Sequence, residues 1–205
     1  VGEAIDPDWP DYSAQLASLL DAIFDDYGLR AKVTVIGGGA RDALDAGRKV
    51  CAAVQGRQQK VFALEATNEG NLDEAATVQL TRLLRTCGVP LVSVGLGNQG
   101  IDTINRASVA AGATKADFHT ERDDAENGAR QVRQAWDFKQ LRTVPRENAE
   151  PPGPASSVGQ LTDPFKLGAF RTLSVILGAG AFCLHTGHGV FGRTYTTGQG
   201  IVRHA

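Results

Sequence analysis

The sequence predicts an α/β fold built on parallel strands, and three observations carry that expectation. Short apolar segments rich in β-branched residues recur along the chain, each ending in Gly, Asn or acidic residues. Between them lie stretches whose apolar positions fall at three- and four-residue spacing, the period of an amphipathic helix. Polar residues then collect at the C-terminal ends of the strand candidates: Asn68, Glu69, His119, Glu121, Glu147, Glu150, His185 and His188. An open doubly wound sheet gathers its chemistry near one switch point, whereas several decorated strand ends suit a ring of parallel strands around a common mouth.

Taken in order, "PDWPDYSAQLASLLDAIFDDYGL" (7–29) reads as an opening helix, with Trp9 and Tyr12 packing where it starts. The strand candidates are "KVTVIGGG" (32–39), "KVFALEATNE" (60–69), "PLVSVGLG" (90–97), "ADFHTER" (116–122), "LRTVPRENAE" (141–150) and "AFCLHTGHG" (181–189). Helices are expected in "RDALDAGRKVCAAV" (41–54), "LDEAATVQLTRLLRTC" (72–87), "IDTINRASVAAG" (101–112), "DDAENGARQVRQAWDF" (123–138) and "DPFKLGAFRTLSVILG" (163–178). In the second of these Leu72, Ala75, Ala76, Val78, Leu80, Leu83 and Leu84 form a broad apolar face. Asp73 and Glu74 sit in its first turn, where the helix dipole favours them. Trp136 falls on a helix beside Val132 and Phe138 and reads as a packing residue.

A chain of 205 residues with 42% hydrophobic content buries a core as one domain, 1–205. Its net charge of −2, with signs mixed along the chain, argues against a nucleic-acid partner, which calls for a basic face. "LSVILGAGAFCL" is too short and too glycine-broken to span a bilayer, so no membrane partner is expected. Cys51, Cys87 and Cys183 lie far apart in apolar surroundings and read as buried free thiols. The chain begins with Val and has no Met, which suggests a piece of a longer reading frame; localisation is left open.

The strand ends suggest carboxylate chemistry. "EATNEGN" sets Asn68-Glu69 at the end of one strand and "RENAEPPGP" sets Glu147 and Glu150 at the end of another. Two carboxyl groups facing each other across a mouth cleave a glycosidic bond when one donates a proton to the leaving oxygen and the other, ionised, attacks the sugar carbon.

On these residues the chain resembles the C-terminal portion of the retaining (β/α)8-barrel glycoside hydrolases, the superfamily that includes the cellulase-like enzymes. Asn-Glu closes strand four in that family and a nucleophilic Glu closes strand seven. The resemblance implies an incomplete TIM barrel of about six parallel strands, numbers three to eight, whose first two strands are missing from the chain. It implies Glu69 as acid/base, Asn68 on the sugar hydroxyl beside the reacting carbon, and Glu150 as nucleophile, with Glu147 in reserve. His119 and His185 would line the sugar site. The implied partner is an oligo- or polysaccharide, and no cofactor or metal is implied.

Two other classes stand beside this one. Strand four reads Asn-Glu-Gly where the family often has Asn-Glu-Pro, and "LHTGHG" lacks the Trp that often stacks on the sugar. Both fit a non-catalytic carbohydrate-binding or virion-associated barrel. "GLGNQG", with Gly95, Gly97 and Gly100 after an apolar strand and Asp117 about twenty residues on, matches a dinucleotide fingerprint and would make the protein an NAD-binding oxidoreductase. A metal reading of His119, Glu121, His185 and His188 lacks HExxH-type spacing. "VIGGGARDA" lacks the third glycine of the dinucleotide motif and the Lys-Ser/Thr of a phosphate loop, and reads as a turn.

Overall fold

The structure, a computed structural model, describes residues 7–37, 42–68, 72–95, 107, 109–119, 144–150, 164–176 and 179–182. Helices and strands alternate as expected. Helix α1 (Tyr12–Tyr27) leads into β1 (Ala31–Ile36), followed by α2 (Ala43–Val54), a 3-10 turn at Gln58–Lys60, β2 (Val61–Thr67) and α3 (Glu74–Arg85). Then come β3 (Val92–Ser93), β4 (Ala116–His119), β5 (Arg146–Glu150), α4 (Pro164–Ile176) and β6 (Ala181–Phe182). The helix expected at 123–138 lies outside the described residues.

Strand pairing is parallel throughout: β1 with β2, β2 with β3, β4 with β5 and β5 with β6. Two backbone hydrogen bonds join the halves, from the N–H groups of Thr114 and Lys115 to the Val92 carbonyl at 2.9 and 3.1 Å. The described strands therefore lie side by side in chain order, without the order reversal of a doubly wound sheet. They also curve. With parallel neighbours about 4.8 Å apart, a flat sheet would hold β1 and β5 about 19 Å from each other. Lys32 on β1 nevertheless comes within 3.5 Å of Glu147 on β5.

Along β1, β2 and β3 most residues divide by parity, as the pleat requires, with Ile36 and Val61 joining the apolar layer as exceptions. Val33 and Val35, Leu64 and Ala66, and Val92 and Val94 join the apolar layer under α1, α2 and α3, where Leu20, Val50, Val54, Leu80 and Leu84 are fully buried. Burying each such side chain contributes about 1.5–3 kcal/mol. The alternate positions, Lys32, Thr34, Glu65 and Ser93, turn to the other side of the sheet and supply the polar side chains described below.

The helix ends follow local chemistry. Asp42 caps α2 by accepting from the Leu44 and Asp45 N–H groups at 3.0 and 2.9 Å, and Asp73 caps α3 by accepting from Ala76 N–H at 2.7 Å. Gly28 ends α1 at φ +66°, a left-handed conformation, and its N–H bonds the Phe24 carbonyl at 2.9 Å. Helices α2 and α3 touch at Gly47, where a Cβ would fall 2.6 Å from Leu80 Cδ1. Tyr12 packs into the core as expected, but Trp9 remains 44% exposed.

The free-thiol expectation is corrected for one pair. Cys51 on α2 and Cys87 just after α3 form a disulfide, with Cα atoms 5.0 Å apart. Distance in sequence hid the pair, because consecutive strand–helix units set their helices side by side. Cys183 lies outside the described residues. The bridge closes a loop of 36 residues, for which chain entropy gives about 2–4 kcal/mol of stabilisation. Replacing both cysteines with Ala is expected to lower unfolding free energy by that amount in urea melts, and an unchanged midpoint would contradict the bridge.

Candidate functional site

The polar positions of successive strands meet in one buried belt. Thr34 is the register partner of Glu65, Glu65 of Ser93, and Asp117 of Glu147. Lys115 immediately precedes β4. Asp117 is 0% exposed, Lys115 2%, Glu65 3% and Glu147 7%. Charges withdrawn from water this far are tolerated only when paired.

Lys32 forms the hub. Its Nζ lies 2.9 Å from Asp117 Oδ2, 3.1 Å from Glu65 Oε1 and 3.5 Å from Glu147 Oε2. Lys115 Nζ donates to Asp117 Oδ1 and Glu147 Oε2. Thr34 Oγ1 donates to Glu65 Oε2 at 2.5 Å, and Ser93 Oγ to Asp117 Oδ2 at 2.6 Å. Gly95 leaves room for the belt, since a Cβ there would sit 2.5 Å from Glu65 Oε1 and 3.0 Å from the Thr67 carbonyl.

The belt sets the protonation of its members. Burial opposes the charge on Lys32, but the carboxylates of Asp117, Glu65 and Glu147 outweigh it and hold the ammonium above its ordinary range. A lysine so held does not act as an amine nucleophile for imine chemistry. Burial also works against ionising Asp117, and Lys32 and Lys115 overcome it, bringing that carboxyl down to about 2. Glu65 goes the other way. Burial, reinforced by the nearby Asp117, outweighs Lys32 and raises it to about 7. Glu65 touches one ammonium where Asp117 and Glu147 each touch two.

The strand-end residues stand above this belt. Asn68 directly follows β2, is half-buried, and donates its N–H to the Ile36 carbonyl at 3.0 Å, tying the ends of β1 and β2. Glu147 belongs to the belt itself. His119 and Glu150 close β4 and β5 and are register partners. A register shift between Phe118 and His119 puts Glu150, instead of Ala149, opposite His119. The ladder between β4 and β5 therefore carries an extra residue on β5 at this point. Glu69, Glu121, His185 and His188 lie outside the described residues, as do the side chains of His119 and Glu150. Among the described residues no group of three or more His, Cys, Asp or Glu is arranged to hold a metal, and no helix is long and apolar enough to cross a membrane.

Reading for strand ends missed Lys32, Glu65, Ser93 and Lys115. Their signal was a polar residue set beside apolar ones within a strand, as in "AKV", "LEA" and "VSV", or, for Lys115, just ahead of one. Asp117, expected from the glycine fingerprint to meet a ribose, is instead occupied by two lysines and Ser93. Gly95 has a packing reason of its own, and Gly97 and Gly100 lie outside the described residues.

No protein-family model and no curated protein matches the chain. Among solved structures it is similar to a β-mannanase from Streptomyces thermolilacinus, crystallised with mannohexaose, at TM-score 0.55 and 18% identity over 83% of this chain. It spans 62% of that enzyme's length. It is also similar to a Burkholderia cenocepacia protein assigned as a phosphonomutase, at TM-score 0.53 and 12% identity, covering 85% of this chain and 69% of the other. Both are TIM barrels, and together with the parallel, sequentially ordered strands they establish a TIM-barrel-like α/β fold.

The belt predicts a pH signature. Glu65 is raised from 4.5 to about 7, so folding takes up a proton between those values; its stabilising contribution is complete below pH 4.5 and is lost as pH rises through 7. Asp117, lowered from 3.8 to about 2, contributes above pH 3.8 and loses that contribution as pH falls through 2. Glu65→Gln is expected to flatten the decline in unfolding free energy between pH 5 and 8, measured by urea denaturation at steps across that window. Curves of equal slope for both proteins would show that Glu65 is ionised throughout.

Proposed function

We propose that the protein is a glycoside hydrolase-like barrel that cleaves O-glycosidic bonds of an oligo- or polysaccharide through two glutamates, Glu69 as acid/base and Glu150 as nucleophile. One observation carries this reading. Lys32 Nζ contacts Glu65 on β2 and Glu147 on β5 at 3.1 and 3.5 Å, so the strands leading to Asn68-Glu69 and to Glu150 approach each other across the inner face of the sheet. Parallel strands that meet at this level deliver their C-terminal ends to the same mouth. Retention needs carboxyl groups about 5–5.5 Å apart, and strands drawn together across a barrel are one way to bring acids of distant sequence that close.

The similarity to a β-mannanase supports a polymer of β-linked sugars as substrate class. Within the proposal Asn68 bonds the hydroxyl beside the reacting carbon, and His119 and His185 line the sugar site. Glu147 stays with its two lysines beneath the mouth as a substrate-side support. A non-catalytic sugar-binding barrel is the competing reading, favoured by the Asn-Glu-Gly sequence at 68–70. The cysteine bridge fits an oxidising compartment, where secreted polysaccharide hydrolases work.

Hydrolysis of β-mannan, β-glucan and a panel of aryl β-glycosides tests the proposal. Glu69→Gln and Glu150→Gln are each expected to lower kcat at least 1000-fold, a magnitude on the order of other catalytic-group deletions, and azide is expected to restore turnover to a Glu150→Gly variant. Saturable sugar binding without turnover would favour the binding module, and full activity in either Gln variant would overturn the assignment of that residue.

A further inference from the structure

Among the described residues, the charges that meet on the inner face do not cancel. Glu65, Asp117 and Glu147 supply three acids, and Lys32 and Lys115 supply two ammonium groups. Thr34 on β1 and Ser93 on β3, the other groups beside Glu65, are uncharged, and Arg146 has the opposite parity to Glu147 on β5. With every acid ionised, the belt would hold one uncompensated negative charge away from water. Proteins relieve that arrangement by taking up a proton.

Hydrogen bonding singles out the acid that carries it. Glu65 Oε2 accepts from Thr34, but the buried Oε1 finds no hydrogen-bond donor, even though Lys32 Nζ lies 3.1 Å away. Ala63, the register partner of Lys32 and the next inner residue of β2, offers none. As a hydroxyl the same oxygen becomes a donor, and an acceptor stands beside it. Asp117 takes contacts from Lys115, Ser93 and Lys32, which leaves one of the roughly four lone-pair sites of a carboxylate. Strand β3 runs between β2 and β4, yet Ser93 is small and a Cβ on Gly95 would fall 2.5 Å from Glu65 Oε1, so the two acids meet over the top of it. Their carboxyl groups are hydrogen-bonded to each other.

We propose that Glu65 is a neutral acid whose hydroxyl donates to Asp117, so that a single proton latches β2 to β4 across β3 and its release to water loosens the inner face. Once that proton leaves, two carboxylates face each other with Lys32 as the one cation that touches both. The latch involves no substrate and stands whether or not the barrel cleaves glycosides.

Infrared spectroscopy reads the proton directly. At pH 6 exposed carboxyl groups, with pKa values of about 4, are ionised, so the carbonyl stretch of a protonated carboxyl is expected from Glu65. It is expected to vanish with a midpoint near pH 7 and to be missing from Glu65→Gln, which keeps a donor for Asp117 but has no proton to lose. In Asp117→Asn, which removes a like charge, the midpoint is expected to fall by about one unit or more. Hydrogen exchange reads the latch. The amides of Thr114 and Lys115 tie β4 to β3 through the Val92 carbonyl. Their protection, corrected for the intrinsic exchange rate, is expected to fall by up to about tenfold per pH unit between pH 5 and 7, the slope of one proton, and then to level off. In Glu65→Gln it is expected to stay constant. A wild-type spectrum without the band at pH 6, or one whose band survives in Glu65→Gln, would overturn the neutral acid. An unmoved midpoint in Asp117→Asn would overturn the sharing of the proton, and protection equally insensitive to pH in both proteins would overturn the latch.

Discussion

The inner face of this fold depends on one ammonium held among three carboxylates. Lys32 projects from β1 and meets Glu65, Asp117 and Glu147, so four strands report to a single charge. Removing one partner of a buried ionic group costs about 3–5 kcal/mol because the others lose their compensation. The belt therefore constrains composition beyond its own members. Gly95 has to remain without a side chain to leave Glu65 its place, Thr34 has to keep a hydroxyl for the Glu65 oxygen that Lys32 does not contact, and Ser93 shares Asp117 Oδ2 with Lys32.

The two faces of the sheet obey different physics. Toward the helices, Val35, Leu64 and Val92 contribute non-directional burial that tolerates exchange of shape for shape. On the opposite face, geometry matters atom by atom, because a carboxylate displaced from its lysine in a water-poor interior keeps its full desolvation penalty. The division explains how the layer beneath the mouth can be specialised without disturbing the helical exterior.

Much of the architecture was legible from residue order. Apolar segments alternating with helical periodicity placed α1, α2, α3 and α4 to within a few residues, and the asparagine and glutamates marked the ends of β2 and β5. Strand lengths were less legible: "PLVSVGLG" yields only Val92–Ser93, since two or three apolar residues look alike in a strand and in an extended loop. The belt escaped notice because a lone Lys32 or Glu65 in a strand resembles a solvent-facing residue until the partner strands are known. The extra residue near Ala149 was hidden as well, because it is a property of the pairing between β4 and β5. Cys51 and Cys87 were overlooked for the same kind of reason, since their proximity comes from the packing of two consecutive helices.

That covalent link has a topological meaning. Joining Cys51 to Cys87 turns the intervening chain into a closed ring that contains all of β2 and the Asn68-Glu69 segment. A single cut by a protease within that ring would open it without releasing a fragment, so both halves would stay attached through sulfur and the molecular mass on a non-reducing gel would not change. The part of the chain that reaches from the helical layer to the mouth and back is thus the part best protected from being lost.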